Sequence, residues 1–424
     1  MVDRIESGAS LEHGRIAGLL LLSVVIKFAL LAISPAGRGG FSFSDFEAWN
    51  DYAYAYVPSV MAFRAGNLPY ASFYFPYPPL FLYALTAFSY LGTSWGPAVP
   101  LVLADALTVV PAYLIARRFV SERAAFIASL VFVVAPLNLL YADYVWLNPP
   151  LTTLFLMVSL YFLLEGRYDL SALALAVSIG FKQTALIAAP LMLVFLWRKS
   201  SRKVAARFFL LVAAVCVVFS IPYILVSPAL YLASMFRVPM QYFGGLPASY
   251  FQLGVIAPST SISTINTATL PSYDQVLAHV LGVGYPATLT GPIFAFLLPA
   301  LAQGYYSISQ DVLVIVLLAA YVFTTIRLYR SKLTDDRALV RYLVCGFLLF
   351  FALYPVYKYY VVGVTPFLVL LGARKRDWGA FLGFNLALIV VPSVFASYLP
   401  LAALAWLLRP RSASQAFANP KTTV

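Results

Sequence analysis

The chain has 424 residues, of which 62% are hydrophobic and only 10% are charged. A soluble domain carries about 25% charged residues, so the composition excludes a soluble fold and points to a protein built into a bilayer. The net charge of +12 is not a nucleic-acid footprint, because the basic residues gather in short loops between apolar runs.

The opening stretch, "MVDRIESGASLEHGRIAG", is too long and too acidic to lead a cleaved signal peptide. Residues 16–34 therefore read as a retained first helix, a signal anchor. Basic loops then follow at Arg117, Arg118 and Arg123, at Arg198 to Arg207, at Arg327 to Arg341, at Arg374 to Arg376, and at Arg409 and Arg411. The positive-inside rule makes these loops cytoplasmic. Spans between them are predicted at 16–34, 97–116, 124–141, 149–165, 170–181, 183–197, 206–226, 311–328, 338–355, 359–372, 378–394 and 397–408. The expected fold is an all-α polytopic bundle with about 12 spans and both ends inside.

The short apolar segment 78–92 falls in an outer loop, 35–96, where parity favours a helix lying flat or dipping partway into the membrane. A second outer loop, 227–310, is rich in Ser, Thr and aromatics, and its apolar stretch 286–302 is read as not crossing. Spans 170–181 and 183–197 meet at Lys182 with almost no turn, which implies a recessed outer face where backbone and lysine meet a polar ligand. Cys216 and Cys345 sit inside apolar runs and form no disulfide scaffold. His13 and His279, the two histidines, are too few for a His-rich metal site.

Two ionisable residues fall deep in predicted spans. At ~1.5 Å per residue, Lys27 and Asp105 lie at nearly the same depth of a ~30 Å core. A lone charge there costs at least ~2.5–3.5 kcal/mol, so the two are predicted to pair. A structural ion pair is the favoured reading, and a transporter's ion relay is the other.

The first outer loop concentrates acids and aromatics in "FSFSDFEAWNDYAYAYVPSVMAFRAGNLPYASFYFPYPPL". Ser44 and Glu47 fit a capping box, which starts an amphipathic helix lying on the outer surface from Phe46 to about Arg64. "RAGNLPY" ends it. Asp45 sits at the first helical position with no structural duty beyond favouring the helix dipole. Glu47 and Asp51 read as cap and solvated face.

Several of these pieces together resemble the GT-C superfamily of integral membrane glycosyltransferases. More narrowly, they look like the polyprenyl-phosphate-mannose-dependent mannosyltransferases of bacteria and archaea. The likeness rests on Asp45-Phe46, on Gly66-Asn67-Leu68-Pro69-Tyr70 and on Tyr77-Pro78-Pro79-Leu80. It continues through "LADALTVVPAYLIARRFVSERAAFIASLVFVVAPLNLLYA" and "GFKQTALIAAPLML". It divides the chain into a GT-C-like module, 1–200, and a more variable module, 201–424.

The resemblance implies an inverting transfer of a sugar, mannose by analogy, from a polyprenyl-phosphate donor to the hydroxyl of a glycan or glycolipid acceptor. The reaction would face the outside of a prokaryotic cell membrane, with Asp45 as catalytic base. Many relatives carry a second acid where Asn148 stands here, with Asp143 displaced toward the helix end. That departure favours a metal-independent enzyme with no cofactor.

The chemistry needs one carboxylate to take the acceptor's proton and cations to stabilise the departing phosphate. The outer cations are Lys182, Lys358, Arg64 and Arg237. Lys358 equally suits an aromatic-belt anchor, and Arg64 the close of a surface helix. Glu47, Trp49, Tyr52, Tyr70, Tyr77 and Asn148 are the candidate sugar, acceptor or lipid contacts. The rival classes are a transporter or flippase, which should show broken helices and an internal repeat, and a lipid-linked-glycan ligase.

Overall fold

The computed structural model describes residues 2–34, 51–73, 75–228, 231, 235, 310–330, 336–353, 358–373, 378–390 and 403. Asp45, Glu47, Trp49, Arg237, the predicted span 397–408 and nearly all of the loop 227–310 lie outside them, as does the side chain of Lys358. Among the described residues the chain is helical throughout, with one isolated bridge between Pro69 and Phe73.

The helices follow the apolar runs. The first, Val2–Ile33, begins well before residue 16, so the acidic opening stretch is the start of the same helix. Glu12–Ile33, Gly96–Phe119, Glu122–Tyr144 and Arg202–Val226 are each long and apolar enough to cross a membrane. Pro79–Ser89 has 11 residues and reaches only ~16 Å at ~1.5 Å per residue, too short to cross. It packs closely on the helix Tyr168–Phe181, where a Cβ on Gly180 would lie 2.6 Å from Leu80 Cδ1.

The element that organises the site is the hairpin of Pro149–Leu164 and Tyr168–Phe181. Its turn passes through Gly166, whose φ of +75° suits a residue without a side chain. Small residues then let the two helices approach. Ser159 Oγ donates to the Ser171 carbonyl and Ser171 Oγ to the Ser159 carbonyl, both at 2.8 Å. Ser178 Oγ donates to the Thr152 carbonyl at 2.7 Å. Because the arms are similar in length, the start of the first and the end of the second emerge together, far from the turn. Asn148 and Lys182 occupy those two positions.

The turn end collects charges. Arg118 pairs with Glu165 in the turn, Arg117 with Glu12, Arg15 with Glu122 and Lys199 with Asp336, and Arg118 also lies 3.8 Å from Asp336. Segments predicted to share one side of the membrane thus meet at one end of the bundle. Lys182 and Asn148 stand at the other.

The helix expected to lie on the outer surface is different. Its described part is a π-helical turn, Tyr52–Tyr56, running into Val57–Arg64. Tyr52, Tyr56, Val57, Val60 and Ala62 are all buried. Tyr56 packs edge-on to Phe81 at 5.0 Å and to Tyr77 at 5.8 Å. The aromatics that looked suited to lipid cover one another instead, because ring edges and faces attract and the short helix Pro79–Ser89 supplies the other wall.

Candidate active site

Lys182 ends the helix Tyr168–Phe181 in an extended conformation, with φ −156° and ψ 128°, and a 3-10 turn, Gln183–Ile187, follows. That break turns its side chain inward, leaving it 4% exposed. Its Nζ donates to Asn148 Oδ1 at 2.6 Å and lies 3.5 Å from the ring centroid of Tyr360. Tyr359 and Tyr77 add ring faces at 5.6 and 6.0 Å. Among the described residues Lys182 makes no ion pair. A buried cation in direct contact with an amide and aromatic rings but no carboxylate is costly, and an anion arriving beside it would relieve that cost.

The acid of the site is Asp51. It is half-buried, and its Oδ2 accepts from the Tyr359 hydroxyl at 2.9 Å. Tyr359 therefore touches both the carboxylate and the lysine. Burial pushes the Asp51 carboxyl up to about 6 from 3.8. The Tyr359 hydrogen bond, the charge of Lys182 and the hydroxyls of Tyr77 and Tyr56 hold it down. This corrects the expectation of a solvated Asp51.

A cleft opens beside the lysine, lined by Pro149, Thr152, Thr153, Lys182, Tyr360 and Gly363 among others. Two buried donors have no hydrogen-bond partner among the described residues: Thr152 Oγ1 of the cleft lining, and Nδ2 of Asn148, the residue bonded to Lys182. The Lys182 contact fixes which way the Asn148 amide faces, since its oxygen must accept.

Irregular backbone frames the site on two sides. Asp51 immediately precedes the π-helical turn Tyr52–Tyr56, and a second one, Leu139–Tyr144, leads toward Asn148. Between them and Asn148 stands Trp146 with φ +63°, a left-handed conformation that is an outlier for a bulky side chain. Such π-helical and strained segments concentrate at functional sites.

The remaining candidates separate cleanly. Tyr77 contributes a ring face to the lysine. Tyr52 is 2% exposed, gives its hydroxyl to the Ser94 carbonyl and packs on Trp146 at 4.8 Å. Tyr70 is fully buried, has φ +66° and donates to the Tyr77 carbonyl. Both are buried packing residues. Arg64 is exposed and stacks on Tyr90 at 4.6 Å, closing its helix.

Lys27 and Asp105 meet as a fully buried pair, and Asp143 joins them at 2.9 Å from Lys27 Nζ. Asp143, next to last in the π-helical turn Leu139–Tyr144, is thus both near the helix end, as expected, and a member of the buried cluster. Asp51, Tyr359 and Tyr360 escaped the sequence reading. The available signal was the "YKYY" run, read as a membrane-interface belt, and the position of Asp51 directly before "YAYAY".

No curated protein sequence matches the chain. Among solved structures, the apo oligosaccharyltransferase of Archaeoglobus fulgidus is similar at 12% identity and a TM-score of 0.45, over 91% of this chain and 56% of that one. Its complex with Zn and sulfate aligns at 14% and 0.44, over 90% and 53%. ArnT from Cupriavidus metallidurans, bound to undecaprenyl phosphate, aligns at 13% and 0.42, over 93% and 79%. The chain spans about half the length of the oligosaccharyltransferase. Residues 51–243 match the family model described as ALG3 protein. That segment begins at Asp51 and carries Asn148 and Lys182.

Proposed function

We propose that this protein transfers a sugar, mannose by analogy with the family it resembles, from a polyprenyl-phosphate donor to an acceptor hydroxyl, with inversion and without a metal. The observation that carries the reading is Lys182. It is a buried cation without an ion-pair partner among the described residues, beside two unpartnered hydrogen-bond donors and separated from Asp51 by the Tyr359 side chain.

In this reading the donor's phosphate sits against Lys182, with Asn148 Nδ2 and Thr152 Oγ1 able to donate to its oxygens. The acceptor oxygen attacks the anomeric carbon as the bond from that carbon to the phosphate oxygen breaks. The acceptor's proton passes to Asp51. The phosphate leaves without being protonated first, so one carboxylate and one cation suffice, where a glycosidase needs two carboxyl groups. Preorganised donors on the departing charge act most strongly in a water-poor cleft. A carboxyl near 6 is largely ionised at neutral pH yet basic enough to take a proton.

Asp45, the base implied by the family resemblance, lies outside the described residues, and Asp51 takes that role here because it shares Tyr359 with Lys182. The arginine-rich end of the bundle is opposite the site, which by the positive-inside rule supports an extracytoplasmic reaction. The test is purified protein with polyprenyl-phosphate mannose and a panel of acceptors. Transfer should be lost in Asp51→Asn and in Lys182→Met and kept in Asp45→Asn. Loss in Asp45→Asn with activity kept in Asp51→Asn returns the base to residue 45. Vesicle transport of the lipid with no covalent product overturns the enzyme reading.

A further inference from the structure

The buried cluster around Lys27 contains more than a helix-to-helix pair requires. Lys27 is on the helix Val2–Ile33, Asp105 on Val99–Leu107 and Asp143 on the π-helical turn Leu139–Tyr144. All three side chains are fully buried. Asn138 Nδ2 donates to Asp105 Oδ1 at 2.8 Å, and the face of Phe132 lies 5.5 Å from Lys27 Nζ. Asp105 alone would neutralise the lysine. The second bond, to Asp143, ties the first helix to the segment that leads to the active site.

That segment can be followed atom by atom. The main-chain oxygen of Asp143 accepts from Trp146 Nε1 at 3.0 Å, and the next carbonyl, of Tyr144, accepts from Oγ of Ser34, the residue just past the first helix. Trp146, in its left-handed conformation, packs on Tyr52, the residue after Asp51. Two residues further on, Asn148 Oδ1 holds Lys182. Both halves of the reacting pair thus lean on residues 143–148, and that stretch is gripped by Lys27 of the first helix and by Ser34 just past its end.

We propose that Lys27 is a positioning residue for glycosyl transfer: by holding Asp143 it sets the 143–148 turn that places Trp146 against Tyr52 and Asn148 against Lys182. The proposal rests on the assignment of Asp51 and Lys182 as the reacting pair. It explains why a charged cluster is kept deep among apolar helices, where charges are costly and usually functional.

The test compares Lys27→Met and Lys27→Arg with the unmodified protein in lipid nanodiscs, by hydrogen exchange and by steady-state transfer. In Lys27→Met, exchange should rise at 51–56 and 145–148 and stay unchanged elsewhere, as local opening does. Because small displacements of reacting groups are costly, kcat should fall about 100-fold with little change in acceptor KM. Lys27→Arg should recover both. Normal exchange at the two segments with normal kcat overturns the proposal, and so does an even rise across the bundle. If Lys27→Met fails to fold, Trp146→Phe removes the indole bond and leaves the cluster intact. It should reproduce the local exchange and the kcat loss, and a fully active Trp146→Phe overturns the proposal. Absence of transfer by the unmodified protein would sink the proposed reaction, while the exchange pattern still decides the positioning role.

Discussion

The carboxyl of Asp51 offers the most exacting check. It stands near 6, up from 3.8, because burial disfavours the charged form more than its partners favour it. A base must be ionised to accept a proton, so kcat/KM should rise with pH and level off above about 6. One pH unit below the midpoint only about a tenth of the carboxyl is ionised, and the rate should fall about tenfold there. Asp51→Asn keeps the shape but cannot take the proton, and the loss should be about 10²–10⁴-fold.

The neighbours set the direction of further shifts. Tyr359 donates to the carboxylate, and the positive charge of Lys182 lies close, so both favour the ionised form. Tyr359→Phe should therefore move the acidic limb to higher pH, and the residual activity of Lys182→Met should move the same way. The assay is initial-rate transfer between pH 4.5 and 8.5 with saturating donor. A limb that drifts downward in Tyr359→Phe would show the sign to be wrong. An Asp51→Asn variant retaining more than a tenth of the rate would refute the base itself.

Three other outcomes are expected. Lys182→Met should cost about 10²–10³-fold in kcat/KM, and Lys182→Arg should not rescue it, because Tyr360 at 3.5 Å leaves no room for the larger planar guanidinium. A lipid-phosphate affinity unchanged in Lys182→Met, measured by native mass spectrometry, would remove the phosphate assignment. Incubation with a chelator should leave transfer intact, since among the described residues Asp51 is surrounded by a lysine and tyrosines and not by a second carboxylate; loss restored by added Mg²⁺ or Mn²⁺ would contradict this. Gly96→Ala should destabilise the protein by about 1–3 kcal/mol, because its Cβ would lie 2.7 Å from the Phe88 carbonyl oxygen, a main-chain atom unable to step aside. An unchanged melting temperature would contradict that.

Much of the architecture was legible in the order of residues, for identifiable reasons. Apolar runs bounded by arginines predicted 149–165 and 170–181, and the helices are Pro149–Leu164 and Tyr168–Phe181. The near absence of a turn between two short spans singled out Lys182. Depth arithmetic alone brought Lys27 to Asp105. Each of these follows from a one-dimensional constraint, such as how far a helix rises per residue or which segments water can reach.

The partners of the site were not legible in the same way. Asp51 and Tyr359 are separated by 308 positions, and nothing local to either predicts the other. Asp51 followed a capping motif and read as solvated. Tyr359 and Tyr360 flanked a lysine and read as interfacial anchors. Asn148 read as a missing acid, although its amide is what seats Lys182. The sequence by itself determined that the chain lies in a membrane, where its helices run and which end gathers the arginines, because bilayer thickness and loop charge act on each segment separately. Only the tertiary structure decided which helix ends adjoin, and so which acid meets which cation. Burial of apolar surface has no direction, and the choice among neighbours was settled by small-residue contacts, glycine approaches and buried hydrogen bonds that form only once all the helices are in place.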